Sequence, residues 1–484
     1  MHDLGIIDGR FAVERPCGAG GMGSVYRAID QKSGAPVAVK VLHDGSPTLR
    51  ERFDREARTL ATLQHPGIVR YIAHGTTGAA LCYLVMEWID GETLKARLER
   101  AGLTADESVH MAATVADALA AAHEHGVIHR DVKPSNLLFV GGDADRVKLI
   151  DFGVARAASE TVRLTEAGSS VGTPGYMAPE QVRSTRDVDA RADLFALGCV
   201  LYECLSGRRA FAGADAIEVW IKIVLAQPAS LRVLATDLPE PVYALVERMM
   251  AKEPGDRPLG ASEVAASLRA LGPLQSGPRR FVREDELPTL AAGKPAMTGS
   301  GTGDGAAHDD RTRNEPLRSV FLVVATEAHG DGDGAGNDED GAEAARAAGE
   351  RRRAEIGTEV GRLAQRHGGR ADFLAEGSVV IALETAETDA STARAAGECA
   401  LALRALLPSA LMALTSGVGP AGSPILDDVI ARGLRLIEAA ALEAVTGDAR
   451  AGDGVQLDEA TARLLAGSFD VAPTLSGYQL RSAT

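Results

Sequence analysis

The chain has 484 residues, of which 45% are hydrophobic and 24% are charged, and its formal net charge is −16. This length predicts about two or three globular domains, and the strong negative charge disfavours nucleic acid and anionic membranes as partners. We find no apolar run of membrane-spanning length and no signal-peptide pattern, and the five scattered cysteines form no CxxC pair. These features predict a soluble, cytoplasmic protein from a reducing compartment.

A glycine-rich turn lies between two predicted strands near the N-terminus. Its residues are Gly18, Ala19, Gly20, Gly21, Met22 and Gly23, with Val25 just beyond. GxGxxG also occurs in dinucleotide-binding folds, but there the third glycine opens a helix. Here Ser24–Ala28 predicts a strand, and a turn leads to a second strand, Pro36–Lys40, which contains Ala38. Glycines in such a hairpin let backbone amides approach phosphate oxygens.

Lys40 ends the second strand, and Glu56 follows within a predicted helix, Glu51–Leu63. A carboxylate on the inner face of that helix can pair with the Lys40 ammonium and direct it towards phosphate groups. Considered alone, Lys40 also fits a solvated strand end, and Glu56 is more often a surface residue. The residues further along the chain decide between these interpretations.

Three further motifs follow in order. They are His129-Arg130-Asp131-Val132-Lys133-Pro134-Ser135-Asn136, then Asp151-Phe152-Gly153, then Ala178-Pro179-Glu180. They resemble the catalytic loop, the metal loop and the end of the activation segment of eukaryotic-like (Hanks-type) protein kinases. The resemblance covers residues 11–271 and implies a bilobal, α+β protein kinase fold, with an N-lobe at 11–86 and a C-lobe at 91–271. It also favours the pairing of Lys40 with Glu56.

The resemblance implies a role for each polar residue of these motifs. Asp131 would orient the substrate hydroxyl and accept its proton, and Lys133 would lie near the transferred phosphate, as in the serine/threonine branch. Asn136 and Asp151 would bind Mg²⁺, with Mn²⁺ as an alternative ion, and ATP would be the phosphate donor. The partners would be proteins that carry Ser or Thr.

The adenine pocket is expected at the end of another predicted strand, Tyr83–Ile89. By resemblance, Met86 would line the back of the pocket, and the backbone groups of Glu87 and Ile89 would bond to the purine. Met86 also fits a core strand position, and the two interpretations are compatible.

The segment between Asp151 and Glu180 resembles an activation segment. Arg130, which precedes the predicted catalytic aspartate, is typical of kinases whose segment is ordered by a phosphate. The candidate phosphorylation sites are Thr165, Ser169 and Ser170, with self-association for autophosphorylation in trans; an unmodified polar loop is the alternative. The resemblance also implies three structural contacts: Thr173 with Asp131, Asp193 with the catalytic-loop backbone, and Glu180 with Arg257.

A Gly-, Pro- and Ser-rich stretch, 272–316, predicts a flexible linker, and 317–484 a second domain. The elements predicted there are strand Ser319–Ala325, a helix within Ala342–Arg366, hairpin Arg370–Leu374 and Ser378–Leu383, helix Ser391–Leu407, strand Leu411–Val418 and helix Leu426–Ala441. This βαββαβ order predicts a smaller α/β ferredoxin-like sandwich. With the sequence Ile430–Leu436, it is similar to the class III nucleotide cyclase domain.

The second domain departs from the cyclase pattern at its metal site. Thr326 stands where the first metal-binding aspartate would lie, Glu376 lies near the position of the second, and Ala431 replaces an asparagine, which leaves Arg435. A cyclase needs two carboxylates for its metal pair, so we expect a catalytically silent regulatory module. An unrelated ferredoxin-like domain remains the alternative.

Two other functions were weighed for the whole chain. A bifunctional kinase–cyclase is opposed by Thr326 and Ala431. A pseudokinase scaffold would lack Lys40, Asp131 or Asp151, and all three are present. The Ala-, Gly- and Arg-rich composition is typical of bacterial proteins. The sequence therefore predicts a bacterial serine/threonine protein kinase.

Overall fold

The computed structural model describes residues 5–20, 23–42, 47–77, 81–152, 174–183, 188–274, 277, 317–327, 355–374, 377–385, 390–420, 425–445 and 454–483. The chain divides into two compact units, Met1–Phe281 and Val282–Thr484. None of the described helices is long and apolar enough to cross a membrane.

The first unit begins with a six-stranded antiparallel sheet in the order β1-β2-β3-β4-β6-β5. Its strands are β1 (Ile6–Ile7), β2 (Phe11–Gly20), β3 (Gly23–Asp30), β4 (Pro36–Leu42), β5 (Tyr71–Thr76) and β6 (Cys82–Glu87). Val37, Val39 and Val41 are buried in one apolar cluster because alternate residues of a strand share a face. Ala38 and Lys40 therefore point to the opposite face.

Helix α1 (Pro47–Leu60) connects β4 to β5. Phe53, Ala57 and Leu60 are buried, and their spacing of four and three residues forms a stripe along the helix. The helix packs on β5 and β6. The sequence predicted a helix here, and the observed helix begins earlier and ends earlier than the predicted one.

The remainder of the first unit is mainly helical. Its elements are β7 (Gly91–Thr93), α2 (Leu94–Arg100), α3 (Ala105–Glu124), β8 (Leu137–Val140), β9 (Val147–Leu149), α4 (Pro179–Val182), α5 (Arg191–Ser206), α6 (Ala216–Leu225), α7 (Leu231–Leu234), α8 (Glu240–Met249) and α9 (Ala261–Arg269). Thr104 and Glu107 form a capping box that begins α3. Helix α5 is buried from Ala192 to Leu205 and ends at Gly207, whose φ of 71° favours glycine.

The second unit contains a seven-stranded sheet in the order β11-β12-β10-β13-β14-β16-β15. Its elements are β10 (Leu317–Glu327), helix α10 (described over 355–366), β11 (Gly369–Phe373), β12 (Val379–Thr385), α11 (Ala390–Leu406), β13 (Ala410–Pro420), α12 (Ile425–Val445), β14 (Val455–Leu457), α13 (Glu459–Leu465), β15 (Phe469–Pro473) and β16 (Tyr478–Ala483).

In this sheet β10 lies between β12 and β13 and is antiparallel to both, and β11 pairs with β12 as a hairpin. Phe321, Val323 and Ala325 of β10 pack in a buried cluster that includes residues of α10, α11 and α13. Helix α12 also packs on β10 and β13. Leu322 and Val324 point away from the cluster of Phe321, and both are fully buried.

The strands and helices predicted between Ser319 and Ala441 are present with small shifts of their ends, except that residues 342–354 of the helix predicted within Ala342–Arg366 lie outside the described residues. Four further elements, β14, α13, β15 and β16, were not predicted from the sequence. These elements are short, and a strand of three residues such as β14 is too short for an alternating pattern to be recognised.

Candidate active site

The glycine-rich turn is built as a hairpin between β2 and β3. The pairs across it are Gly18 with Val25, Ala19 with Ser24 and Gly20 with Gly23. A Cβ atom at Gly23 would stand 2.4 Å from the carbonyl oxygen of Val41, so the neighbouring strand leaves room only for glycine. Gly21 and Met22, at the tip, lie outside the described residues.

Two rows of side chains cross the sheet on the face that Lys40 shares. Val25 lies opposite Lys40 on the neighbouring strand, and Ala38 lies opposite Met86. Side chains that are directly opposite share one face, and so do residues two apart on one strand. The sheet therefore brings Val25, Ala38, Lys40 and Met86, all predicted nucleotide contacts, to a single surface.

The Lys40 ammonium forms an ion pair with the carboxylate of Asp151. The sequence predicted a pair with Glu56, and that contact is not formed: among the described residues, the carboxylate partner of Lys40 is Asp151. Glu56 is half-buried on α1, which packs on β5 and β6, whereas Lys40 lies on β4. The segment that follows β9 places the Asp151 carboxylate within ion-pair distance of Lys40.

The catalytic-loop residues converge on the carboxylate of Asp131. The ammonium nitrogen of Lys133 lies 2.8 Å from Asp131 Oδ2. The side-chain amide of Asn136 donates to the backbone oxygen of Asp131 at 2.8 Å and to its Oδ2 at 3.1 Å. A carboxylate held by an ammonium and an amide is fixed in position and favoured in its charged form.

Asp193, buried at the start of α5, holds the backbone that leads into Asp131. Its carboxylate accepts hydrogen bonds from the backbone N–H of His129 at 2.8 Å and of Arg130 at 2.7 Å. Its Oδ2 also lies 2.8 Å from the ring nitrogen Nε2 of His123. Arg130 adopts a φ of 62°, in the left-handed region. His123, in the last turn of α3, carries no motif signal in the sequence.

His129 connects the catalytic loop to the metal loop. Its Nε2 donates to the backbone oxygen of Ile150 at 3.1 Å, and its Nδ1 accepts from the N–H of Asp131 at 3.2 Å. The ring packs on Phe152 with centroids 4.6 Å apart. Burial lowers the pKa of His129, against the opposing effect of Asp193 and Asp131. A neutral imidazole satisfies both hydrogen bonds.

Asp151 and Asn136 are brought together by the backbone. The N–H of Ile150 donates to the carbonyl oxygen of Asn136 at 2.9 Å, and the following residue, Asp151, has a φ of 61°. The Asn136 amide group donates to Asp131, so its side-chain oxygen has no hydrogen bond to any described residue. This amide oxygen and the Asp151 carboxylate are ligands that Mg²⁺ prefers, so the residues present fit the expected metal.

The end of the activation segment is anchored by a buried ion pair. Arg257 Nη1 and Nη2 lie 2.7 and 2.8 Å from the two carboxylate oxygens of Glu180, and the Arg257 side chain is 0% exposed. Next to Glu180, the Gln181 side-chain amide donates to the backbone oxygen of Arg130 at 3.0 Å. Gln181 thus connects this segment to the catalytic loop, a contact that sequence reasoning missed because glutamine is common on helix surfaces.

The predicted adenine-binding segment follows β6. Met86, Glu87 and Ile89 are all half-buried. The backbone N–H of Glu87 donates to the oxygen of Arg70 at 2.9 Å, and its carboxylate pairs with Lys148. The Glu87 N–H is therefore already used within the protein, and of its two backbone groups the carbonyl is the better candidate for a purine contact.

Several predicted residues lie outside the described residues. They are Thr165, Ser169, Ser170, Thr173 and Gly153 of the activation segment, and Glu376 of the second unit. Thr326 lies near the end of β10, where its hydroxyl accepts from Ser378 at 3.3 Å. Ala431 and Arg435 lie on α12, and Arg435 is exposed.

The comparison with known proteins agrees with this geometry. The protein kinase domain model matches residues 11–267. The serine/threonine-protein kinase PknA of Mycobacterium tuberculosis is 37% identical over 304 residues, which span 61% of this chain and 68% of that protein. The serine/threonine-protein kinase pkn2 of Myxococcus xanthus is 38% identical over 274 residues, 55% of this chain and 33% of that protein.

Two further similarities were found, one to a curated relative and one to a solved structure. A probable serine/threonine-protein kinase PknB of Corynebacterium glutamicum is 36% identical over 58% of this chain and 46% of its own. A crystal structure of Rad53 1-466 in complex with AMP-PNP is 25% identical, with a TM-score of 0.45 over 53% of this chain and 64% of that chain. The matched kinase region contains Lys40, Asp131 and Asp151. The chain therefore belongs to the protein kinase family, as a serine/threonine protein kinase similar to those of bacteria.

Proposed function

We propose that this kinase transfers the γ-phosphoryl group of ATP to Ser or Thr hydroxyls through Lys40, Asp131, Lys133, Asn136 and Asp151. One observation supports this assignment: a continuous series of contacts joins these residues. Lys40 pairs with Asp151, the neighbouring Ile150 N–H bonds to Asn136, and both Asn136 and Lys133 bond to Asp131. Asp131 is the base that orients the hydroxyl and accepts its proton.

Asp151 and the amide oxygen of Asn136 would hold Mg²⁺, which supplies charge neutralisation for the phosphate oxygens when bound. Asp151 would then give up its ion pair with Lys40. Glu56, half-buried on α1, would become the carboxylate partner of Lys40, whose ammonium would face the phosphates. The Lys40–Asp151 pair is thus a contact that catalysis replaces.

The substitution Asp131→Asn tests the assignment of the base. We expect transfer of radiolabelled phosphate to a protein acceptor to fall by about a thousandfold, while ATP binding persists. Asp143→Asn is the matched control, since Asp143 is an exposed carboxylate in the turn between β8 and β9. Transfer at the wild-type rate by Asp131→Asn would show that another residue acts as the base.

We also propose that phosphorylation of the activation segment regulates the kinase. Arg130 directly precedes Asp131, and Gln181, near the end of the segment, bonds to its backbone. A phosphate bound by the Arg130 guanidinium would order the segment. Mass spectrometry of the full chain after incubation with ATP should find phosphate between Thr161 and Ser170, with two copies reacting in trans. Phosphate confined to 272–316 would contradict this proposal.

For the second unit we propose a ferredoxin-like, cyclase-homology domain without cyclase activity, which serves regulation in the cytoplasm. The antiparallel order β11-β12-β10-β13, with its connecting helices, supports the fold. Thr326 cannot supply the first metal-binding carboxylate that a cyclase requires, and Ala431 replaces the asparagine of that family. The full chain should form no cyclic nucleotide from ATP or GTP with Mn²⁺; formation of one would favour the bifunctional enzyme.

A further inference from the structure

Helix α1 has polar residues on both edges of its buried stripe. Successive helical residues are rotated by about 100°. Measured from Phe53, Asp54 therefore lies about 100° to one side, and Glu56 lies about 60° to the other side. The apolar contacts of Phe53 and Ala57 are not directional, so by themselves they allow α1 to rotate about its own axis against the sheet. We call this rotation the roll of the helix. A polar contact at Asp54 would fix the roll and therefore the side on which Glu56 lies.

Such a contact exists. His74 Nε2 lies 2.9 Å from the Oδ1 atom of Asp54, and the Tyr71 hydroxyl contacts the other ring nitrogen, Nδ1. One neutral imidazole satisfies both: Nε2–H donates to the carboxylate, and Nδ1 accepts from the phenol. The His74 side chain is 16% exposed, and Phe53 packs on its ring edge-to-face with centroids 6.2 Å apart.

The sheet register relates His74 to Lys40. His74 on β5 lies opposite Leu84 on β6, and Leu84 lies opposite Lys40 on β4. The three side chains form one row on one face, and His74 is two strands, or about 10 Å, from Lys40. Asp54, through its hydrogen bond to His74, is thus connected to the row of side chains that contains Lys40, the predicted phosphate-binding lysine.

A β-bulge makes the Tyr71 contact possible. Residues three apart on a regular strand point to opposite faces, but the register shifts between Tyr71 and Ala73. The shift brings Tyr71 to the face of His74, where it lies opposite Met86, the residue predicted at the back of the adenine pocket. Burial, together with Asp54, raises the pKa of Tyr71, which keeps its hydroxyl available as a donor.

We propose that Tyr71, His74 and Asp54 are positioning residues that set the roll of α1 and thereby present Glu56 to Lys40 during phosphoryl transfer. The inference rests on the role proposed above for Glu56. The three residues touch neither substrate nor metal; they act through the helix. Their hydrogen bonds run from the strand that borders the predicted adenine pocket to the helix that carries Glu56.

The test compares kinase kinetics of full-length variants at His74. His74→Leu removes both hydrogen bonds, and we expect kcat to fall about tenfold while the KM for ATP stays within about twofold, since the adenine contacts are unchanged. His74→Gln keeps a donor near the Nε2 position and should restore most of kcat. His74→Asn cannot reach Asp54 and should behave like His74→Leu. Arg58→Ala, which removes only an exposed ion pair of Asp54 on the same helix, is the control and should match the wild type.

A double-mutant cycle distinguishes a positioning role of His74 from an effect of His74 on the overall stability of the protein. If His74 acts through Glu56, His74→Leu will reduce kcat very little further in a Glu56→Gln background. The proposal would be overturned if the kcat losses of His74→Leu and Glu56→Gln multiplied in the double variant. A wild-type kcat for His74→Leu would also overturn it. A wild-type kcat for Glu56→Gln alone would instead refute the proposed role of Glu56, and the positioning role with it. Thermal unfolding of each variant identifies any that fail to fold, in which case Asp54→Asn replaces His74→Leu in the cycle.

Discussion

The two units use hydrogen-bonded aspartates for different purposes, one fully buried and one half-buried. In the kinase unit, Asp193 accepts backbone N–H groups of His129 and Arg130 and so holds the loop that carries Asp131. In the second unit, Asp458 accepts the backbone N–H of Thr461 at the start of α13 and pairs with Arg432 of α12. The first carboxylate positions the backbone before Asp131, the proposed base, and the second joins two helices.

This difference shows that a buried polar network does not by itself indicate a catalytic site. In the second unit, Arg432 also donates to the backbone oxygen of Ser416 at 2.7 Å, and Ser416 bonds to Thr461 at 2.9 Å. These groups contact one another and the backbone of their own unit. In the kinase cleft, by contrast, the side-chain oxygen of Asn136 is left for a ligand. The amide oxygen of Asn136, beside Asp131 and the segment of Asp151, is the feature of the kinase network that fits a ligand.

The largest expected effect tests this contrast with a matched pair of substitutions. Asp193→Ala removes the acceptor of two backbone donors, so kcat should fall by about a hundredfold and stability by about 3 kcal/mol. Asp458→Ala removes a helix cap and an ion pair, so stability should fall by about 2 kcal/mol with kcat unchanged. Steady-state kinetics and denaturant unfolding measure both. A loss of kcat in Asp458→Ala would mean that the second unit is coupled to catalysis.

A second test concerns buried and exposed ion pairs within the kinase unit. Glu180→Gln leaves the fully buried Arg257 guanidinium without its carboxylate, and we expect a loss of about 3 kcal/mol. Asp117→Asn breaks the pair with Arg269, whose side chain is 57% exposed, and should change stability by less than about 1 kcal/mol. Denaturant unfolding distinguishes the two; equal effects would show that the Glu180–Arg257 pair is not an anchor.

A smaller effect is expected from pH. Burial lowers the pKa of His129, so on acidification the unfolded chain binds a proton at about pH 6.5, before the folded chain does. Stability is therefore lost as pH falls below about 6.5 and is unaffected by this group above that value. The Tm of the wild type should fall more steeply between about pH 7.5 and pH 5.5 than that of His129→Phe. Identical slopes would show that His129 does not contribute.

The smallest effect should come from a site remote from the cleft. Thr104→Ala removes the cap of α3 and should lower stability by about 1 kcal/mol without changing kcat. Thr114→Ala, within the same helix, is the control and should be near neutral, because alanine is a good helix former. A change in kcat for Thr104→Ala would mean that the stability of α3 affects the conformation of the catalytic loop.

Much of the kinase unit could be predicted because its motifs combine residue type with local geometry. The glycine-rich hairpin, the strand of Lys40 and the helix of Glu56 each have a short-range signal, and each element is present. The contact of Lys40 with Asp151 could not be read from the sequence. An ammonium pairs with whichever carboxylate the tertiary structure brings within reach, and two candidates were available.

The residues that sequence reasoning missed act through long-range contacts without a motif. His123, Gln181 and His74 each bond to a residue on another element. Histidine and glutamine are common at helix ends and on exposed surfaces, so their type alone predicts nothing. In the second unit the order of the main elements was predictable from periodicity, whereas β14, with three residues, was too short to show it.

Two residues of the cleft, Arg130 and Asp151, hold backbone conformations that suit glycine, with φ of 62° and 61°. For each, the left-handed conformation is less favourable than for glycine by about 1 kcal/mol. Glycine at either position would relieve this backbone strain, although it would also increase the entropy of the unfolded chain and, at residue 151, remove the ion pair with Lys40. Stabilising this kinase by design should accordingly exclude these two sites, since a higher melting temperature obtained there would remove a guanidinium and a carboxylate that the proposed chemistry uses.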